Sequence, residues 1–207
     1  MKYIIISILL FFSCCKYKNT FSQKRKIHLK NEKLTSSKDG VDLNDICNFD
    51  SILNSSLTPI LAKELFKKNA KNNEKALEFF KKLKNSEKVE KIFYFKVLTN
   101  LYGIADGSTV EGLGGYGELY VEKNTLDFLN IFTECNCCSD VELKIWAKIV
   151  LIELQLKFEN ENDPDIVKNF INKLNDKCID CNNTQKNTLL KFNIMIHEEW
   201  NNYLSNK

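Results

Sequence analysis

The chain has 207 residues, 43% hydrophobic and 28% charged, which is enough for one domain with a real core. Two prolines and seven glycines leave few helix breakers and point to helices. The net charge of +3 is unevenly spread: residues 16–38 carry eight basic residues against the single acid Glu32, whereas residues 39–207 carry 21 lysines against 26 acids. An acidic body with Arg25 as the sole arginine excludes a nucleic-acid binder.

At the N-terminus, Lys2 precedes an apolar run from Tyr3 to Phe12, then Ser13 and Cys14. A run of about ten residues is half of the roughly 20 that a membrane-spanning helix needs. It is apolar on every side, so it is not an amphipathic core helix. The pattern is that of a cleaved export leader over residues 1–13. The tetrad Phe11-Phe12-Ser13-Cys14 resembles the lipobox of bacterial lipoprotein precursors. That resemblance implies cleavage before Cys14, acylation of its sulfur with palmitate-type chains, and a lipid anchor at the cell envelope, facing the periplasm or the cell surface. Cys15 is the second choice of anchor. Residues 14–42 read as a basic flexible tether, for which a solvated linker and contact with anionic head groups are both adequate readings. Residues 43–207 read as an all-helical domain.

The helices follow in order. "TPILAKELFKKNA" opens with Thr58 as cap and Pro59 at the first helical position. "NEKALEFFKKLK" sets Leu77, Phe80 and Leu83 near one face. "KVEKIFYFKVLTNLY" puts Val89, Ile92, Phe93, Val97 and Leu101 on an apolar stripe. "SDVELKIWAKIVLIELQLKF" opens with a capping box, Ser139 and Glu142, and reads as the central helix. "DPDIVKNFINKL" and "TLLKFNIMIHEEWNNYL" complete the set, with no strand or hairpin signal. A faint echo links 76–83, 125–132 and 166–174. The predicted fold is all-α with about seven to eight helices, either an irregular bundle or a short stack of helical pairs of the HEAT or TPR kind.

Six of the seven glycines lie in residues 103–117, "GIADGSTVEGLGGYG". Gly112, Gly114 and Gly117 match G-x-G-x-x-G, but no buried strand precedes them, so the spacing is not a dinucleotide fingerprint. Instead Gly103 ends one helix, Asp106-Gly107 turns, and Ser108 with Glu111 caps the next. Leu113, Tyr116, Gly117 and Tyr120 then share a face. Interior glycines cost a helix roughly 1 kcal/mol each. Two readings offset that cost: close approach of another helix, or a partner or ligand needing backbone access beside Asp106, Glu111, Tyr116 and Tyr120; a third reads the segment as an irregular mobile loop instead of a helix. The segment "ADGSTVEGLGGYGELYVEKNTLDFL" is also similar to a turn-then-helix pattern of helical bacterial lipoproteins, which implies an all-helical body and carries no activity with it.

Beyond Cys14 and Cys15 stand Cys47, Cys135, Cys137, Cys138, Cys178 and Cys181. Cys135/Cys138 and Cys178/Cys181 each form C-x2-C. In a reducing compartment two such pairs suggest thiolate zinc; in an oxidising one they become disulfides. The leader favours disulfides, and the expected staple joins the "CNCC" segment to the "CIDC" segment. A thioredoxin-like role for "CIDC" lacks its βαβ context.

Catalytic patterns are missing. "HEEW" at 197–200 would need a second histidine at 201, where Asn201 stands, and His28 falls in the tether. The expectation is a membrane-anchored module that binds a protein partner at the envelope, without catalytic residues, metal or cofactor. The alternative is a secreted enzyme or a thiolate metal-binding protein using the Cys135-Cys138/Cys178-Cys181 cluster or Asp106/Glu111.

Overall fold

A computed structural model describes residues 47–70, 74–134 and 136–207, all within one compact unit. The leader, the whole of the tether with the lipid-anchor candidates Cys14 and Cys15, and Cys135 lie outside the described residues. Those residues form α1 (Asp50–Asn54), α2 (Ile60–Phe66), a 3-10 helix (Glu74–Glu78) continuing into α3 (Phe79–Asn85), α4 (Lys88–Tyr102), α5 (Gly107–Lys123), α6 (Thr125–Thr133), α7 (Asp140–Glu161), α8 (Ile166–Lys177) and α9 (Asn183–Ser205). No strand occurs among them, so the fold is all-α. None of these helices is long and apolar enough to cross a membrane.

Helix starts were partly legible. The α7 capping box forms as expected: the Ser139 side chain accepts from the Val141 amide, and the Glu142 carboxylate accepts from the Ser139 amide at 2.9 Å. A second box, Asn182 with Gln185, starts α9 and carries the same signal in its sequence. Elsewhere the structure corrects the reading. Pro59, not Thr58, is the residue before α2. Asp106 precedes α5, and Ser108 donates to Glu74 across to the 3-10 helix instead of capping its own helix.

α7 is central, packing against α4, α5, α8 and α9. Its Trp146 is fully buried and stacks on Phe95 of α4 with ring centroids 4.7 Å apart. The same indole meets Phe80 of α3, Tyr120 of α5 and Phe128 of α6. Its N–H donates to the Thr99 hydroxyl at 2.8 Å, which donates in turn to the Phe95 carbonyl, so no polar atom of this pair is stranded. The three echo segments do not stack as equivalents. α3 lies on α4 and α5, α6 on α9 and α5, and α8 on α9 and α7. The architecture is therefore the irregular bundle.

The glycine segment explains the tightest contact. A Cβ on Gly114 would fall 2.8 Å from Ile152 Cβ and 3.1 Å from the Glu153 amide nitrogen of α7; one on Gly117 would overlap Ile149 Cγ2. Close helix approach is thus what these glycines serve. Beside them Glu118, 6% exposed, takes Lys157 of α7 at 3.1 Å, so the buried carboxylate is paired.

Two measurements check this packing. Gly115→Ala meets only the mobile tip of Glu153 at 3.3 Å and should raise stability by up to about 1 kcal/mol through helix propensity. Gly114→Ala meets a β-branch and a backbone atom and should lower stability by about 1–3 kcal/mol. Urea denaturation reads both, and equal effects would contradict the contact. The second concerns Glu142, which also binds Lys96 of α4 at 2.9 Å. Burial raises its pKa, but the hydrogen bonds from Ser139 and Lys96 outweigh this and hold it down to about 2, against an ordinary 4.5. Its contribution to stability is therefore complete above pH 4.5 and lost as pH falls through about 2. The stability difference between the wild type and Glu142→Gln should shrink over that window; a difference independent of pH would refute the assignment.

Candidate functional site

The 3-10 helix and α3 run beside α5 in the same direction. Glu74 accepts from Ser108 at one end, Leu77 faces Gly112, and Phe80 stacks on Tyr116 with centroids 5.6 Å apart. Between the two segments lies an open groove of about 540 Å³, within the range of ligand-binding clefts. Its floor is apolar, built from Leu77, Phe80, Tyr116 and Leu119. Tyr116 is 52% and Leu119 48% exposed, so two large apolar side chains at i, i+3 on α5 meet solvent in a concave place.

Charge is sorted along this groove. Glu74 and Glu78 stand at the end nearer the start of α5, and Lys81, Lys84 and Lys123 along the rest. These three lysines are exposed, and none is in an ion pair or hydrogen bond among the described residues. A second depression, of about 450 Å³, lies between the middle of α7, the end of α4 and the end of α9. There the charges satisfy one another: Glu199 takes Lys144 at 3.3 Å and Lys148 at 3.8 Å, while Lys207 pairs with Glu159.

Of the residues singled out as partner contacts, Tyr116 and Tyr120 line the α3–α5 groove together. Asp106, just before α5, and Glu111, on it, are exposed and stand outside the groove's lining. Tyr120 requires a correction. It is 4% exposed, because it is turned in against Trp146, and serves as wall and core instead of open surface. Its hydroxyl is buried with no hydrogen-bond partner among the described residues, and burial together with the nearby Asp127 carboxylate pushes its pKa far above the ordinary value. Sequence reasoning missed Phe80, Leu119 and the three lysines. Leu119 stands three residues after Tyr116, a helical spacing that could have found it, but the partner segment across the groove is a long-range contact that no local pattern announces.

The cysteines pair, though not in the expected way. Cys47 is bonded to Cys137, 90 residues away, with Cα atoms 5.6 Å apart. Cys178 is bonded to Cys181. The expected staple between "CNCC" and "CIDC" is absent because Cys178 ends α8, Cys181 immediately precedes the α9 cap, and the turn between them brings the two together. It also closes a backbone hydrogen bond of 3.2 Å from the Cys181 amide to the Cys178 carbonyl. The "CNCC" turn instead meets the segment before α1, where Phe49 is set in the core against Phe66 and Phe93. Cys138 is half-buried against the core. Sulfurs bonded to each other offer no thiolate to a metal, and no group of three or more His, Cys, Asp or Glu among the described residues is placed to hold one.

Comparison of the chain with protein-family models, with curated proteins and with solved structures finds no match.

Proposed function

We propose that this chain is a non-catalytic binding module, exported and held at the cell envelope by lipid on Cys14, which engages a protein partner through the groove between α3 and α5. The observation that carries the reading is the pair Tyr116 and Leu119, exposed in a concave site on a helix fixed from behind by its glycine contact with α7. A rigid wall lowers the ordering cost of association, and tyrosine is favoured at the energetic centre of interfaces. The disulfides Cys47–Cys137 and Cys178–Cys181 support a compartment outside the reducing cytosol. The lipobox-like tetrad supports the anchor.

Photo-crosslinking in the native host tests both halves. A benzoylphenylalanine at position 119 should give a discrete adduct in the membrane fraction, and the same group at exposed Glu198 on α9 should give none. Cys14→Ser should release the protein from membranes. An adduct pattern indifferent to position, or unchanged fractionation of Cys14→Ser, would overturn the corresponding half.

A further inference from the structure

We infer that the groove receives a peptide segment of the partner with an apolar core and an acidic end, the acidic end lying over Lys81, Lys84 and Lys123. The inference rests on the binding-module reading and adds the chemistry of the occupant.

Residues 39–207 carry a net charge of −5, and many of their lysines are ion-paired, including Lys88, Lys91, Lys96, Lys144 and Lys157. Three unpaired lysines lining one apolar groove are a local reversal of that sign. Cations left solvated beside exposed tyrosine and leucine gain from a carboxylate brought in with an apolar neighbour, because expulsion of water from the groove strengthens the attraction. Glu74 and Glu78 at the other end repel an acidic terminus and so fix the direction in which the segment lies. Recognition by an apolar groove with charged ends is a recurring mode of peptide binding. The depression between the middle of α7 and the end of α9 has no such imbalance, since its lysines are already paired.

The test uses purified full-length protein and two fluorescein-labelled synthetic peptides with one apolar core, Leu-Phe-Ile-Leu, ending on one side in glutamates in the first and on the same side in lysines in the second. Fluorescence anisotropy should show the glutamate-ended peptide binding at least about tenfold more tightly, with the advantage falling as salt is raised. The double variant Lys84→Glu/Lys123→Glu should abolish or invert that preference. Lys82→Glu makes the same charge change on α3 outside the groove lining and should leave the preference intact. Tyr116→Ala should weaken both peptides, and circular dichroism checks that each variant is folded. Equal binding of the two peptides, with Tyr116→Ala still weakening both, overturns the charge inference and leaves the groove reading standing. Binding indifferent to Tyr116→Ala, or no binding of either peptide, overturns both. Binding of laurate in competition with the labelled probe, stronger than that of either peptide, assigns the groove to an anionic amphiphile and overturns the peptide.

Discussion

The fold depends on one constraint: α5 approaches α7 so closely that two of its positions have no room for a side chain. Gly114 and Gly117 face Ile152 and Ile149, and a methyl group at either site would overlap the branched side chain opposite. Each glycine costs the isolated α5 helix about 1 kcal/mol against alanine. The native state offsets this through dispersion contacts that a larger residue would prevent, and through the half-exposed Lys157 that the approach brings within 3.1 Å of buried Glu118. The helix is thus a poor one by itself and a good one against its neighbour.

The remaining architecture follows from where that contact holds α5. With its glycine face on α7, Tyr120 turns inward to Trp146, and the indole becomes the meeting point of α3, α4, α5 and α6. Tyr116 and Leu119 then fall on the side where the 3-10 helix and α3 run past. The groove is the space left between a wall fixed from behind and a short parallel segment. The disulfide Cys47–Cys137 holds the start of the described chain to the α6–α7 turn, and Cys178–Cys181 tightens the turn between α8 and α9. Neither disulfide lines the groove.

Features encoded by neighbours in the sequence were legible there. The all-helical class, the capping box at Ser139 and the central position of the Trp146 helix rest on propensity, short spacing and amphipathic period. The glycines were legible as a cost that needed an offset, but not the identity of Ile149 and Ile152 as the atoms that supply it. Tyr120 was misassigned to the surface because helical spacing says which residues share a face and not where the core boundary cuts that face. The disulfide partners were misassigned for a related reason. Cys178 and Cys181 bond locally through a turn between two helices, which leaves the other cysteine segment to find Cys47 across 90 residues. The lysines of the groove are ordinary surface residues in the sequence; only the packed structure shows that Lys123 of α5 shares a groove with Lys81 and Lys84 of α3 and lacks a counter-ion among the described residues.

The glycine contact is tested most directly by a double-mutant cycle in which Gly117→Ala is made with Ile149 present and again with Ile149→Ala, stability being read by urea denaturation. Gly117→Ala should cost about 1–3 kcal/mol against Ile149, whose Cγ2 occupies the space the new methyl needs. With that atom removed, the same change should be neutral or stabilising, since only the helix propensity of alanine remains. An identical cost in both backgrounds would mean that α5 does not rest on α7 at this point, and the groove built on that contact would have to be abandoned with it.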